Sequence, residues 1–275
     1  MGMDSTRFDR REFKFVVDAL QRRRLTEALA ARLTPDPHGD GTGRYPIISV
    51  YYDNASLDLF MDGLRGLSSR RKLRLRLYGD ASTRAAAACF IEIKHRYKAR
   101  VAKRRVELAL EEAIGVGQGR PPQRELGASD ALVVAEALEM QRAMRLRPTC
   151  LLRYERQAFR GASSEADLRV TFDHAIRARA RDLIPVVGDQ DFEVEVLEPS
   201  HSILEIKVAE TVPFWLARQL GALGCVRRSY SKYGNSVLAL GLRPSQGHAT
   251  TPGGVTADPT VTRAHLDALE ASWTP

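Results

Sequence analysis

Cysteine is scarce in this 275-residue chain: Cys89, Cys150 and Cys225 lie far apart and form no CxxC pair. An odd number at such spacings excludes a disulfide framework and a thiolate zinc site. Cys89 and Cys150 flank apolar runs and read as small buried hydrophobes. Long apolar runs are also missing: none approaches the roughly 18 residues that a membrane-spanning helix needs. Met1 to Arg11 is polar and lacks the apolar stretch of a secretory leader. The expected location is therefore cytoplasmic, with a peripheral place at the inner face of a membrane, beside a membrane partner protein, as the alternative. Aromatics make up only 7% of the residues. No strand carries the stacking pairs of RNA-binding sheets, so nucleic acid is not an expected partner. The motifs GxxxxGK[ST], GxSxG and HExxH do not occur. The histidines at 38, 95, 174, 201, 248 and 265 share no metal-ligand spacing and are expected on loops or surfaces.

Acidic residues are in deficit, 34 against 42 basic ones, which leaves a net charge of +8. Such an excess points to an anionic partner: nucleic acid, anionic lipid, a nucleotide or a phosphate polymer. A 44% hydrophobic content is enough to build a sizeable core.

Alternation with period two dominates the pattern. It marks strands at Arg10 to Val17, Pro46 to Asp53, Arg70 to Tyr78, Cys89 to Arg96 and Val101 to Leu110. Further strands follow at Cys150 to Phe159, Asp167 to Asp173, Asp191 to Leu197 and Ile203 to Val208. Helices are predicted over Asp18 to Leu33, with Asp18 as cap, over Ser129 to Leu146, and over Pro213 to Leu223, where Pro opens and Gly224 follows the end. Loops fall at Pro35–Gly43, Gly115–Gln123 and Gly161–Ala166. Residues 1–242 read as one domain. Residues 243–275, rich in Pro, Ser, Gly and Thr, read as a tail in which Leu266, Leu269 and Trp273 could share a helical stripe. Many strands with few helices predict an α+β fold on a large antiparallel sheet, and closure into a barrel would remove its edges.

The basic residues are arranged on strand faces. Side chains two apart on a strand share a face, so Lys72, Arg74 and Arg76 project together, as do Glu92 and Lys94, and Glu205 and Lys207. Asp167, Arg169, Thr171 and Asp173 form another polar face, and apolar residues alternate with each set. A solvated face would mix signs, because like charges about 6 Å apart repel by about 3 kcal/mol at an effective dielectric near 20. Arg forks and Lys ammonium groups facing an enclosed space suit a phosphate chain. A carboxylate among them suits Mg²⁺ or Mn²⁺ bridging phosphate oxygens. Tyr51, Tyr52 and Tyr78 read as strand packing, and Lys103 to Arg105 as a solvated cluster.

Eight segments in order resemble the VTC (vacuolar transporter chaperone) domain, the polyphosphate polymerase branch of the triphosphate tunnel metalloenzymes. They are Arg10–Lys14, Ser49–Asn54, Arg74–Gly79, Ile91–Lys94, Tyr154–Phe159, Leu168–Asp173, Leu204–Lys207 and Ser231–Tyr233, spanning about residues 8–242. The resemblance implies an eight-stranded antiparallel tunnel barrel with flanking helices that moves the γ-phosphate of ATP onto a growing inorganic polyphosphate chain. It implies Lys14, Arg74, Arg76, Lys94 and Lys232 as catalytic phosphate ligands, Arg156, Arg169, Lys207 and Glu12 as further contacts, and Glu205 as the holder of Mn²⁺ or Mg²⁺. Related triphosphatases open with Glu-x-Glu-x-Lys, whereas this chain has Arg10 in the first place, a departure shared with the polymerase branch. Hydrolysis of a triphosphate, or binding of polyphosphate without turnover, are the alternatives in the same tunnel.

Overall fold

The period-two segments assemble into one antiparallel sheet, seen in a computed structural model that describes residues 11–79, 88–98, 100–162 and 165–245. Arg10, most of the tail (residues 246–275) and its Leu266, Leu269 and Trp273 stripe lie outside the described residues. The long strands are β1 (Arg11–Val17), β3 (Arg44–Asp53), β4 (Ser69–Tyr78), β5 (Cys89–Tyr97), β6 (Arg100–Leu108), β7 (Arg147–Arg160), β8 (Arg169–Arg179) and β10 (Ser202–Val208). They are hydrogen-bonded in the order β1-β10-β8-β7-β3-β4-β5-β6, while the two-residue strands β2 (Thr34–Pro35) and β9 (Val194–Glu195) pair with β7 and β8. Of the predicted strand Asp191 to Leu197 only β9 forms.

The sheet curls into a half-barrel. Glu12 on β1 and Lys94 on β5 stand six strand spacings apart in that order, about 29 Å if the sheet were flat at about 4.8 Å per strand. Their side chains meet at 3.7 Å, so the concave faces of the two ends confront each other.

Helices cover the apolar outer side. The helices α3 (Leu110–Gly117) and α4 (Ala128–Met144) bury Leu73, Leu75, Leu77, Ile91 and Ile93 of β4 and β5. The helices α1 (Ala19–Ala30) and α5 (Phe214–Ala222) cover Val170, Phe172, Leu204 and Ile206 of β8 and β10. Full burial of each such side chain contributes about 1.5–3 kcal/mol. Asp18 does cap α1: its carboxylate accepts from the Gln21 amide at 2.8 Å, and the Gln21 side chain accepts from the Asp18 amide at 3.0 Å.

Three short helices are absent from the sequence reading: α3, which takes up the start of the expected loop Gly115–Gln123, and α2 (Asp58–Leu64) and α6 (Lys232–Ala239), which fill one end of the concave side. There Phe60, Tyr233 and Val237 pack on Tyr51, Leu152, Tyr154, Ile176 and Ile203. Asp53 ties α2 and α6 together. Its carboxylate accepts from the Leu59 and Phe60 amides at 3.0 and 2.9 Å and from the Tyr233 hydroxyl at 2.6 Å.

Strand β8 runs past its predicted end and changes phase on the way. Glu155 pairs with His174 and Arg153 with Arg177, so two residues of β8 oppose one of β7, and Ala175 takes a left-handed φ of 48°. This bulge lets Arg169, Thr171 and Asp173 face the polar part of the concavity while Ile176 and Ala178 face its apolar end.

Candidate functional site

The concave face gathers charge from seven long strands and one helix. Lys14 on β1 lies 3.1 Å from Glu12 and 3.3 Å from Glu205 of β10. Glu205 in turn meets Lys207 at 3.6 Å and Lys232 at 3.7 Å. Lys232, in the first turn of α6, holds Asp173 of β8 at 2.5 Å. Arg156 of β7 grips the same carboxylate with two parallel bonds of 2.6 and 2.8 Å. Lys94, Glu12, Lys14, Glu205, Lys232, Asp173 and Arg156 thus form one continuous chain of contacts across the concavity.

A second group lies on β4 and β5. Arg74 donates to Glu92 at 2.5 Å and to the Tyr51 hydroxyl at 3.2 Å. Arg76, only 4% exposed, donates to Ser49 and to the Tyr78 hydroxyl, both at 3.3 Å. Lys103 of β6 also pairs with Glu92. The two groups meet around Tyr154: Arg156 and Lys232 of the first sit over its ring at 5.7 and 5.0 Å, and Arg76 of the second acts on it electrostatically. Arg169 stands at the margin, held by Asp36 at 2.7 Å and the Tyr45 hydroxyl at 3.2 Å.

Burial and charge pull against each other here. Burial pushes the Glu205 carboxyl up, but Lys14, Lys232, Lys207 and Arg156 outweigh it and hold the group well below the usual carboxylate range. Glu92 behaves alike under Arg74, Arg76 and Lys103. Burial lowers Lys14 and Lys232, yet Glu205 with Glu12 on the first, and Asp173 with Glu205 on the second, raise them above an ordinary lysine. Lys72 has no such carboxylate. It donates to Ser231 Oγ at 2.8 Å and lies over the Tyr233 ring, and burial first, then Lys94, Lys14 and Arg74, lower it to about 8. Burial would raise Tyr51 and Tyr78, but Arg74 and Arg76 on the first and Arg76 on the second bring each down to about 8. Clustered perturbation of this kind, in a concavity, is a feature of functional sites.

All ten side chains that the resemblance implies therefore share the concavity, with Arg169 at its rim. Two readings change. Tyr51 and Tyr78 are bonded to arginines in the concavity as well as packed. Lys103 belongs to the site, and Arg104 pairs instead with Glu136 of α4 on the outer side. Lys72 is legible in the sequence only as a face-sharing residue, Glu92 and Asp173 as face-sharing and motif residues without an assigned role, and Ser231 and Tyr154 only as motif members. Parity alone does not say which carboxylate will be buried between cations.

A cation could also be held. Thr171 Oγ1, on the strand beside Glu205 and opposite it in register, and Tyr154 Oη are buried with no hydrogen-bond partner among the described residues. Among the described residues no three His, Cys, Asp or Glu side chains converge into a complete cage. That donor set fits an ion completed by phosphate oxygens and water, as Mg²⁺ commonly is. No helix among the described residues is long and apolar enough to cross a membrane, which says nothing of β-barrels.

The family model described as VTC domain matches residues 9–241. No curated protein matches the chain. Among solved structures, a candidate adenylate cyclase from Bacillus halodurans is 15% identical with a TM-score of 0.46, over 80% of this chain and 92% of that one. The protein PH1819 from Pyrococcus horikoshii OT3 is 11% identical with a TM-score of 0.43, over 83% and 98%. Likeness at this level carries no functional argument.

Proposed function

The chain belongs to the VTC domain family, and from that premise we propose that it is a metal-dependent polyphosphate polymerase, moving the γ-phosphate of ATP to a growing inorganic polyphosphate chain along the concave face. The observation that carries this reading is the convergence of buried cations from separate strands and α6 on one space. Phosphoryl transfer asks a protein for positioning and charge neutralisation rather than covalent chemistry. Arg74 and Arg76 would bind one stretch of the phosphate chain, and Lys14, Lys94 and Lys232 would bind the reacting phosphates. Arg156, Arg169 and Lys207, with Glu12, would fix the register of the polymer. Glu205, with the orphaned Thr171 hydroxyl near it, would hold Mn²⁺ or Mg²⁺, which supplies neutralisation of charge on the transferred group. A membrane partner protein belongs to the same proposal.

One observation favours a second reading, hydrolysis of the triphosphate. Lys72, lowered to about 8, could take a proton from water. Incubation of the protein with ATP and Mn²⁺, followed by a gel stained for polyphosphate, separates the two. A ladder of lengthening chains supports polymerisation, and free phosphate without a ladder supports hydrolysis. Arg74→Ala and Lys94→Ala should each remove phosphate binding, and unchanged affinity in both would refute a site on this face.

A further inference from the structure

Strands β3, β7 and β8 present basic side chains on their outer side as well. A cavity of about 530 Å³ opens there, lined among others by Arg22, Arg23 and Glu27 of α1, Arg44 of β3 and Gln157 of β7. That volume lies within the range of small-ligand pockets, about 300–1,000 Å³. Among the described residues none of the three arginines makes an ion pair. Arg22 donates only to Ser202 Oγ, at 3.3 Å. Burial first, and then the nearby Arg44, lower its proton affinity, so like charges crowd here, with Asp40 acting on Arg44 without forming an ion pair. Glu27 is the carboxylate in the lining, and Asp40 binds the Arg44 backbone amide at 2.9 Å. Beside the pair lies His174 of β8, whose Nδ1 is buried without a hydrogen-bond partner. Burial, with Arg22 and Arg44, keeps this imidazole neutral at physiological pH, with a pKa of about 4.

We infer that this outer cavity is a second anion site, taking a small oligophosphate of pyrophosphate size on Arg22, Arg23 and Arg44, with His174 at its edge. Guanidinium forks match phosphate oxygens two at a time, and an anion would relieve the repulsion between Arg22 and Arg44. The site stands back to back with the concave face. Arg44, Gln157 and His174 each precede or follow a residue that points inward: Tyr45, Arg156 and Asp173. The inner three are joined in register across the same strands, as Tyr45–Arg156 and Arg156–Asp173. An anion on the outer side therefore loads the strands that aim the inner wall. The inference does not rest on the polymerase reading, because it uses different residues.

The test is an imidazole ¹H–¹⁵N spectrum of the full chain titrated with inorganic pyrophosphate in EDTA, with His174 assigned through His174→Gln. The His174 resonances are expected to move in the wild type and to stay in place in Arg22→Ser/Arg44→Ser at the same concentrations. Equilibrium dialysis with labelled pyrophosphate should lose at least about tenfold in affinity at one class of site in that variant, while binding on the concave face persists. A His174 signal that ignores pyrophosphate overturns the inference, and so does a shift that survives the double substitution, since it would then report the concave face. Both arginines reach solvent, so the variant should melt within about 2 °C of wild type, as surface changes usually do.

Discussion

Glu92 offers a sharp test of how the concavity is held together. Its carboxylate is 2% exposed and neutralises Arg74 at 2.5 Å, Lys103, and Arg76 at 3.9 Å. Glu92→Gln keeps the shape and removes the charge. Breaking a buried pair while its partner stays charged costs about 3–5 kcal/mol. Because Lys103 is partly exposed, the lower end, about 3 kcal/mol, is the expectation. At about 2–4 °C per kcal/mol for a domain of this size, that lowers the melting temperature by about 6–12 °C. The pH dependence follows from the sign of the shift. The cations depress the folded-state pKa of Glu92 well below its reference 4.5, so its contribution is complete above that value and is lost as the pH falls below it. The gap between wild type and variant should be present near neutral pH and narrow below about 4.5, while above neutrality it also follows Lys103, which burial lowers to about 8 even beside Glu92. Tripolyphosphate should restore more of the melting temperature in the variant than in wild type, because it replaces the lost negative charge beside Arg74 and Arg76. Calorimetry across that pH range measures all three. A variant that melts within 1–2 °C of wild type at neutral pH would refute the reasoning, because Glu92 would then not be what balances the arginines.

Other outcomes follow from the same geometry. Glu205→Gln should abolish Mn²⁺ stimulation of turnover while leaving metal-free tripolyphosphate binding, read by calorimetric titration, within about threefold. Lys232→Ala should weaken that binding at least about tenfold, since it removes a charge-assisted contact of about 1.5–3 kcal/mol and leaves Asp173 facing the ligand. Tyrosinate absorbance near 295 nm should rise with a midpoint near 8 from Tyr51 and Tyr78 and move upward with bound tripolyphosphate. Loss of that low-pH component without ligand would contradict their contact with Arg74 and Arg76. A thiol reagent at pH 8 should label Cys225 first, because burial raises Cys89 to about 12 and Cys150 higher still. Equal labelling of all three in the native state would contradict the packing.

Much of this was readable from the sequence, for a definite reason. Strand side chains alternate rigidly, so Lys72-x-Arg74-x-Arg76 and Glu205-x-Lys207 declared a shared polar face, and Leu73, Leu75 and Leu77 declared its apolar back. The Asp18 cap announced α1 through hydrogen-bonding chemistry that needs no tertiary partner. Three things were not readable. The helices α2, α3 and α6 are 7, 8 and 8 residues long, too short to show a period, and α2 and α6 depend on Asp53, a partner distant in sequence from α6. The end of β8 was placed too early because a bulge breaks the alternation on which the reading relied. The pairing of Glu12 with Lys94 depends on how tightly the sheet curls, and that of Lys232 with Asp173 on where α6 docks, and no local pattern encodes either.

The bulge at Ala175 makes one strand serve two masters. Upstream, its odd-numbered residues handle ions; downstream, its even-numbered ones join an oily plug beneath them. Flattening the bulge with every residue kept would turn the downstream half over, bringing Arg177 and Arg179 into the hydrophobic floor and expelling Ile176 and Ala178. The ion-handling wall and its dry base are therefore insulated from one another by a phase slip of one amino acid, and substitutions can accumulate in either half without dragging the other along.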